Sequence, residues 1–121
     1  MKEFTATVFG NLQSKANSRR MIRPGLVIKS KAALEFEQSA LMQLKAPMRG
    51  REAFKNDVEC RFEVYYQSRR SDLDTSLIRD ILQKAGVYLN DRQIVFVIEI
   101  KYIDKLNPRT EITIHERQTN L

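Results

Sequence analysis

One cysteine, one histidine and no tryptophan in 121 residues close off several kinds of chemistry at once. Cys60 alone can build neither a disulfide framework nor a four-thiolate zinc site within one chain. His115 alone excludes a histidine-rich metal centre, and a Ser-His-Asp triad unless that residue supplies it. Charges break every apolar run well short of the roughly 18 residues a membrane span needs. Lys2 and Glu3 are followed by no apolar stretch of the kind a secretory signal carries, so the expectation is a cytoplasmic protein in a reducing compartment. The length suits one compact domain, residues 1–121, and is short for two.

Acid is missing from one stretch in particular. Between Phe4 and Leu34 there is no Asp or Glu, while Lys15, Arg19, Arg20, Arg23, Lys29 and Lys31 all fall there. These six account for the whole net charge of +6, since the other 15 basic residues balance the 15 acidic ones. A concentrated positive patch suits a polyanion such as nucleic acid, where each neutralised phosphate releases counterions. A solvated basic loop would look the same in sequence.

No repeat, low-complexity tract or linker divides the chain. Phe4–Phe9 is β-branched and aromatic and reads as a first strand ending at Gly10. Residues 11–24 are polar, hold the basic cluster and close on the turn pair Pro24-Gly25, after which Leu26-Val27-Ile28 can form a short strand. Ser30 is placed to cap a helix running to about Leu44, which Pro47 should stop. From Val58 to Tyr66 apolar and polar residues alternate, a strand signal. Leu77, Ile78, Ile81, Leu82 and Ala85 form one apolar helix stripe, with Gly86 just past its end. The β-branched run Ile94–Tyr102 reads as a central strand, and Glu111–His115 as a last strand pairing back on it. The class is therefore α/β in the broad sense (α+β): one small mixed β-sheet with two helices packed on it.

The candidate chemistry centres on Asp72-Leu73-Asp74, at the junction of a strand and a helix. Two aspartates at i and i+2 in extended chain point the same way, so both carboxylates can reach one cation. Asp91 lies just past that helix, and joins them if the 86–91 connection curls back. Hard divalent ions are held by a few carboxylates plus water, leaving positions for phosphate oxygens. The competing reading makes Asp74 or Thr75 an ordinary N-cap, Asp72 a surface partner of Arg70, and Asn90-Asp91 a turn former. Tyr65, Tyr66 and Tyr88 could stack on bases or simply pack; Cys60 reads as core and His115 as solvated or packed.

At these residues the sequence resembles the RusA family of Holliday-junction resolvases, small phage and prophage endodeoxyribonucleases. Asp72-Leu73-Asp74, a helix ending Gln83-Lys84-Ala85-Gly86, and Leu89-Asn90-Asp91-Arg92-Gln93-Ile94 carry the likeness in order and at similar intervals. Ser14–Arg20 and Val27–Lys31 are similar to the family's N-terminal region and first-helix entry. The resemblance implies a homodimeric, Mg²⁺-dependent enzyme of a bacterial host cell, with Mn²⁺ as the alternative ion and no nucleotide cofactor. It would nick opposed strands of four-way DNA symmetrically, in recombination and repair. The family's three essential aspartates carry over onto Asp72, Asp74 and Asp91, as catalytic and metal-holding residues. Lys15, Arg19, Arg20, Arg23, Arg69 and Arg70 would hold the DNA backbone. Two positions depart from the pattern: Thr75 stands where the family has Asn, and Ile78 where it has a functional Lys. The helix segment before Gly86 is also about two residues shorter, and Arg79 is the nearest cation that could substitute. Two rival readings are a non-catalytic branched-DNA-binding protein of the same fold and a basic RNA-binding protein.

Overall fold

The computed structural model describes residues 1–15 and 19–118; of Arg19, Arg20, Ile22, Arg23, Leu26 and Val27 it describes only the backbone. The elements in chain order are β1 (Glu3–Phe9), β2 (Arg19–Arg23), β3 (Leu26–Lys29), α1 (Lys31–Met48), β4 (Val58–Tyr66), α2 (Ser76–Lys84), β5 (Ile94–Ile103) and β6 (Arg109–Glu116). A 3₁₀ turn at Asp91–Gln93 leads into β5. β1, β6, β4 and β5 lie side by side in that order, and β2 pairs with β3 in a separate hairpin. β4 runs parallel to β5 and antiparallel to β6, which is antiparallel to β1. The fold is α+β, one mixed four-stranded sheet with two helices, and no helix among the described residues is long and apolar enough to cross a membrane.

The alternation along β4 sets the core. Val58, Cys60, Phe62, Val64 and Tyr66 are buried, and Phe4, Val8, Ile112 and Ile114 join them from β1 and β6. Ala33, Phe36, Ala40 and Leu44 from α1 and Leu77, Ile78, Ile81 and Leu82 from α2 complete the same cluster. The apolar stripe of each helix thus covers one face of the sheet, while the side chains at the alternate positions face away from it. Ser30 caps α1, its hydroxyl accepting from the Ala33 N–H at 3.2 Å. Gly86 follows α2 with φ +83°, a conformation that glycine adopts without a Cβ penalty. Cys60 is core, as its position in the alternation implies, and burial pushes its thiol up to about 12. His115 is exposed.

Four expectations are corrected. Ile94–Ile103 is an edge strand instead of a central one: none of its residues is buried, Ile94 and Val97 pack against the core only partly buried, and Val95, Phe96, Tyr102 and Ile103 are 40–47% exposed. The last strand does not fold back on it. β6 inserts between β1 and β4, where its alternate residues Thr110, Ile112 and Ile114 are buried, and a helical crossover brings β5 in parallel to β4. Pro47 does not stop α1, which continues through it to Met48. Placed in the last turn, the proline forfeits a single helical hydrogen bond. The polar stretch before Pro24-Gly25 contains a strand, β2, closed onto β3 by a turn in which Gly25 has φ +81°.

Glu37 ties the hairpin to both helices. Its side chain is only 11% exposed and accepts from Lys29 Nζ of β3 at 3.1 Å and Lys84 Nζ of α2 at 2.5 Å. Burial would raise its carboxyl, but the Lys84 and Lys29 ammonium groups outweigh that and hold it below 4.5. A carboxyl lowered by folding stabilises at neutral pH, and the contribution fades as pH falls through its folded value. Glu37→Gln is therefore expected to cost about 1–2 kcal/mol in urea melts at about pH 7 and far less near about pH 3. An equal cost at both pH values would contradict this.

Candidate active site

The segment between β4 and α2 is held by a single phenol. Tyr66, the last residue of β4, donates its hydroxyl hydrogen to the Asp72 carbonyl at 3.1 Å and accepts the Asp74 N–H at 3.2 Å. Both aspartates are thereby fixed to the sheet through their backbones. Burial above all keeps this phenol protonated, raising it from its ordinary value. The resulting loop delivers Asp74 to the start of α2. There its Oδ1 accepts the Ser76 N–H at 2.9 Å, and its Oδ2 accepts the Lys15 N–H at 3.3 Å. Partial burial pushes the Asp74 carboxyl up, but hydrogen bonds from Ser76 and Lys15 and the charge of Arg79 outweigh it, leaving the group below its usual 3.8. Asp74 is thus ionised at neutral pH.

Thr75 holds the N-cap position of α2 but makes no capping bond. Its buried hydroxyl donates instead to Glu99 of β5. Glu99 also faces Arg79, with Nη2 4.0 Å from the carboxylate, and Arg79 leans back on the Thr75 carbonyl and the Ser76 hydroxyl, each at 3.4 Å. Ile78 is wholly buried and offers nothing to a ligand. The cation of this helix turn is Arg79, which lines an open cleft of about 350 Å³ with Lys15, Ser76, Asp80, Asp91 and the first residues of β5. Lys15 pairs with Asp80 at 2.8 Å. Asp91 is brought here because the 86–91 connection does turn back along α2: its N–H donates to Gln83 at 2.9 Å.

The three aspartates are placed as follows. Asp91 is exposed and lines the cleft beside Asp80. Asp74 sits at the helix start, bonded to two residues that line the same cleft. Asp72 is exposed and lines a neighbouring hollow with Asn11, Gln13, Ser14 and Arg70. Among the described residues no three His, Cys, Asp or Glu side chains come together as a group that could hold a metal ion. One or two of these carboxylates can still contribute hard oxygen ligands to a cation that keeps water and phosphate in its remaining positions, the usual way Mg²⁺ is bound. Arg70 and Arg69 are exposed on the turn after β4. Arg19, Arg20 and Arg23 lie on β2 by backbone register, and their side chains are outside the described residues.

Glu99 and Lys101 escape a reading of the sequence. Both look like interruptions of an apolar run, yet each reaches the β4–α2 loop or helix, Lys101 donating to the carbonyls of Arg69, at 3.1 Å, and Ser71. Their one signal is parity, since charges at i and i+2 of a strand share a face. Tyr66 and Tyr88 are buried and used for hydrogen bonding, Tyr88 donating to the Arg79 carbonyl at 2.5 Å, so neither stacks on bases; Tyr65 stacks on Tyr102 on the other face of the sheet.

No individual curated protein matches the sequence. A family model does: that of endodeoxyribonuclease RusA, over residues 10–115. The matched span takes in the Asp72-Leu73-Asp74 loop, α2, the turn carrying Asp91 and all of β5. The chain belongs to the RusA endodeoxyribonuclease family.

Proposed function

We propose that the protein is a metal-dependent endonuclease that resolves four-way DNA junctions by paired symmetric nicks as a homodimer, in recombination and repair. The observation that carries this reading is the cleft at the start of α2, where carboxylates and cations alternate: Asp80 and Asp91 with Lys15 and Arg79, and Asp74 hydrogen-bonded to Lys15 and Ser76 of its lining. Cutting a phosphodiester needs both signs, cations for the phosphate and carboxylates for a metal. One or two of Asp72, Asp74 and Asp91 would be the ligands of Mg²⁺, or of Mn²⁺ in its place, with water and phosphate oxygens in the remaining positions. When bound, the ion polarises the scissile phosphate and lowers the pKa of a coordinated water.

The chain's own groups do the rest. Lys15 and Arg79 draw the phosphate into the cleft, and Arg79, fixed by Glu99, Ser76 and the Thr75 carbonyl, presents a guanidinium one residue beyond the position where the family has a lysine. Asp74 stays ionised through neutral pH because the helix start donates to it. Arg69 and Arg70 on the adjoining turn, and Arg19, Arg20 and Arg23 on the β2–β3 hairpin, extend the basic surface along the DNA backbone. Arg69→Ala/Arg70→Ala should weaken junction binding without abolishing it and reduce the salt dependence of log K by about 1–2, as two lost phosphate contacts require. An unchanged slope in filter-binding titrations would remove both residues from the interface.

The direct test is a nicking assay on a four-way junction with Mg²⁺, with chelator, and with Asp72→Asn. Paired nicks are expected with metal only, and strongly reduced by the substitution. Junction binding without nicks under every condition would favour a non-catalytic binder. Tighter binding to RNA, indifferent to all three aspartates, would favour the RNA-binding reading.

A further inference from the structure

Glu99 is a misfit on the strand that carries it. It stands on the helix side of β5, opposite wholly buried Phe62 of β4, where the sheet otherwise meets its apolar core. A carboxylate held against apolar surface is costly unless it is paired or hydrogen-bonded. Among the described residues its two partners both come from the first turn of α2. The wholly buried Thr75 hydroxyl donates to Oε1 and makes no capping bond to its own helix, and Arg79 Nη2 faces the same oxygen at 4.0 Å. The hydrogen bonds of the Arg79 side chain run back to the Thr75 carbonyl and the Ser76 hydroxyl, each at 3.4 Å, the outer limit for such a bond. Two marginal bonds are little to hold a side chain with the rotamer freedom of arginine. The Glu99 charge is the remaining restraint.

We infer that Thr75 and Glu99 are positioning residues for the cation of the cleft: the Thr75 hydroxyl fixes the Glu99 carboxylate, and the carboxylate holds the Arg79 guanidinium ready for a phosphate of the DNA strand. The inference rests on the nuclease reading for the phosphate, whereas the relay itself rests on the contacts alone. Glu99 is not among the residues lining the cleft, so it acts only through Arg79, which is. A guanidinium carries five N–H donors in a planar fork. Nε and Nη2 of Arg79 are turned to the helix and to Glu99, while Nη1 makes no hydrogen bond among the described residues and is left for a phosphate oxygen. A cation held in place beforehand stabilises developing charge without having to be ordered at the moment of reaction. The relay also accounts for the threonine at the head of α2, whose hydroxyl serves the neighbouring strand and not its own helix.

Two readouts test this, the first without DNA or metal. In heteronuclear NMR spectra the Arg79 Nε–H should give a separate, slowly exchanging signal in the wild type. It should merge with the exposed arginines in Glu99→Gln and in the isosteric Thr75→Val, and persist in Thr75→Ser, which keeps the hydroxyl. In single-turnover nicking at saturating junction, Glu99→Gln and Thr75→Val should each slow the cleavage step about tenfold with binding nearly unchanged, and Thr75→Ser should recover most of the rate. Glu63→Gln, on the other face of the sheet, is the control. Coupling separates positioning from a loss of fold. In an Arg79→Ala background Glu99→Gln should change the rate by less than about twofold, since the group through which it acts is gone. Free guanidinium, compared with sodium chloride at the same sub-denaturing concentration, should restore part of the Arg79→Ala rate and none of the Arg79→Ala/Glu99→Gln rate. Full additivity, equal rescue with and without Glu99, or an Arg79 signal indifferent to both substitutions would each overturn the relay. A wild type that shows the expected Arg79 signals and never nicks would overturn the nuclease reading alone; normal nicking with an Arg79 signal unchanged by Glu99→Gln would overturn the relay alone.

Discussion

Asp74→Asn should reduce nicking of a four-way junction by at least about 100-fold while leaving folding and junction binding nearly intact, because a metal ligand contributes several kcal/mol to the transition state. Asparagine keeps the Oδ1 that accepts the Ser76 N–H, so the start of α2 survives; what disappears is the charge, together with the weaker bond from the Lys15 N–H. The environment of Asp74 is arranged around that charge. Its carboxyl lies below 3.8, so the wild-type rate should show no titration of this residue at neutral pH and should fail only in acid, as the carboxylate takes up its proton. Single-turnover kinetics with saturating junction separates the two effects. A drop in binding with an unchanged cleavage step would make Asp74 a structural cap and nothing more.

Tyr66→Phe is expected to lower stability by about 1–3 kcal/mol, since the Asp74 N–H and the Asp72 carbonyl both lose their partner in a part-buried loop. Cleavage should fall about tenfold beyond any loss of folded protein, because small misplacements of positioned groups are costly. The loss should appear in the cleavage step and leave binding almost unchanged. Tyr65→Phe is the matching control. Its ring stacks on Tyr102, 4.7 Å between centroids, on the face away from the loop, and nicking should be unaffected. Equal effects of the two substitutions would remove Tyr66 from the positioning of the aspartates.

Local pattern carried most of the fold. β4, α1 and α2 are periodic over their whole length, and periodicity reports directly which side chains are buried. Strand order was not legible in the same way. Ile94–Ile103 looks like an interior strand because Val, Ile and Phe fill it, and composition alone does not distinguish a strand covered by its own chain from one left bare. The β2–β3 hairpin was half visible: Pro24-Gly25 announces the turn, but Arg19–Arg23 carries charges that a helix, a loop or a strand would bear equally well.

The site divided along similar lines. Lys15, Arg79 and Asp91 meet at one cleft although they come from three separate parts of the chain, and the family pattern had drawn attention to each. The departures from that pattern make structural sense. Thr75 turns its hydroxyl to Glu99, and burial of Ile78 leaves the neighbouring Arg79 to supply the cation. Glu99 was hidden because its partners, Thr75 and Arg79, are twenty or more residues away, and only the sheet register reveals which face it occupies.

The most direct measurement is a crystal of the wild type grown with Mn²⁺ at a concentration that supports nicking, with anomalous scattering locating the ion. A peak coordinated by at least one of the carboxylates of Asp72, Asp74 and Asp91, and lost in Asp74→Asn, is what a metal-dependent nuclease centre at the start of α2 predicts. A peak confined to other carboxylates, or none while nicking proceeds, would contradict it.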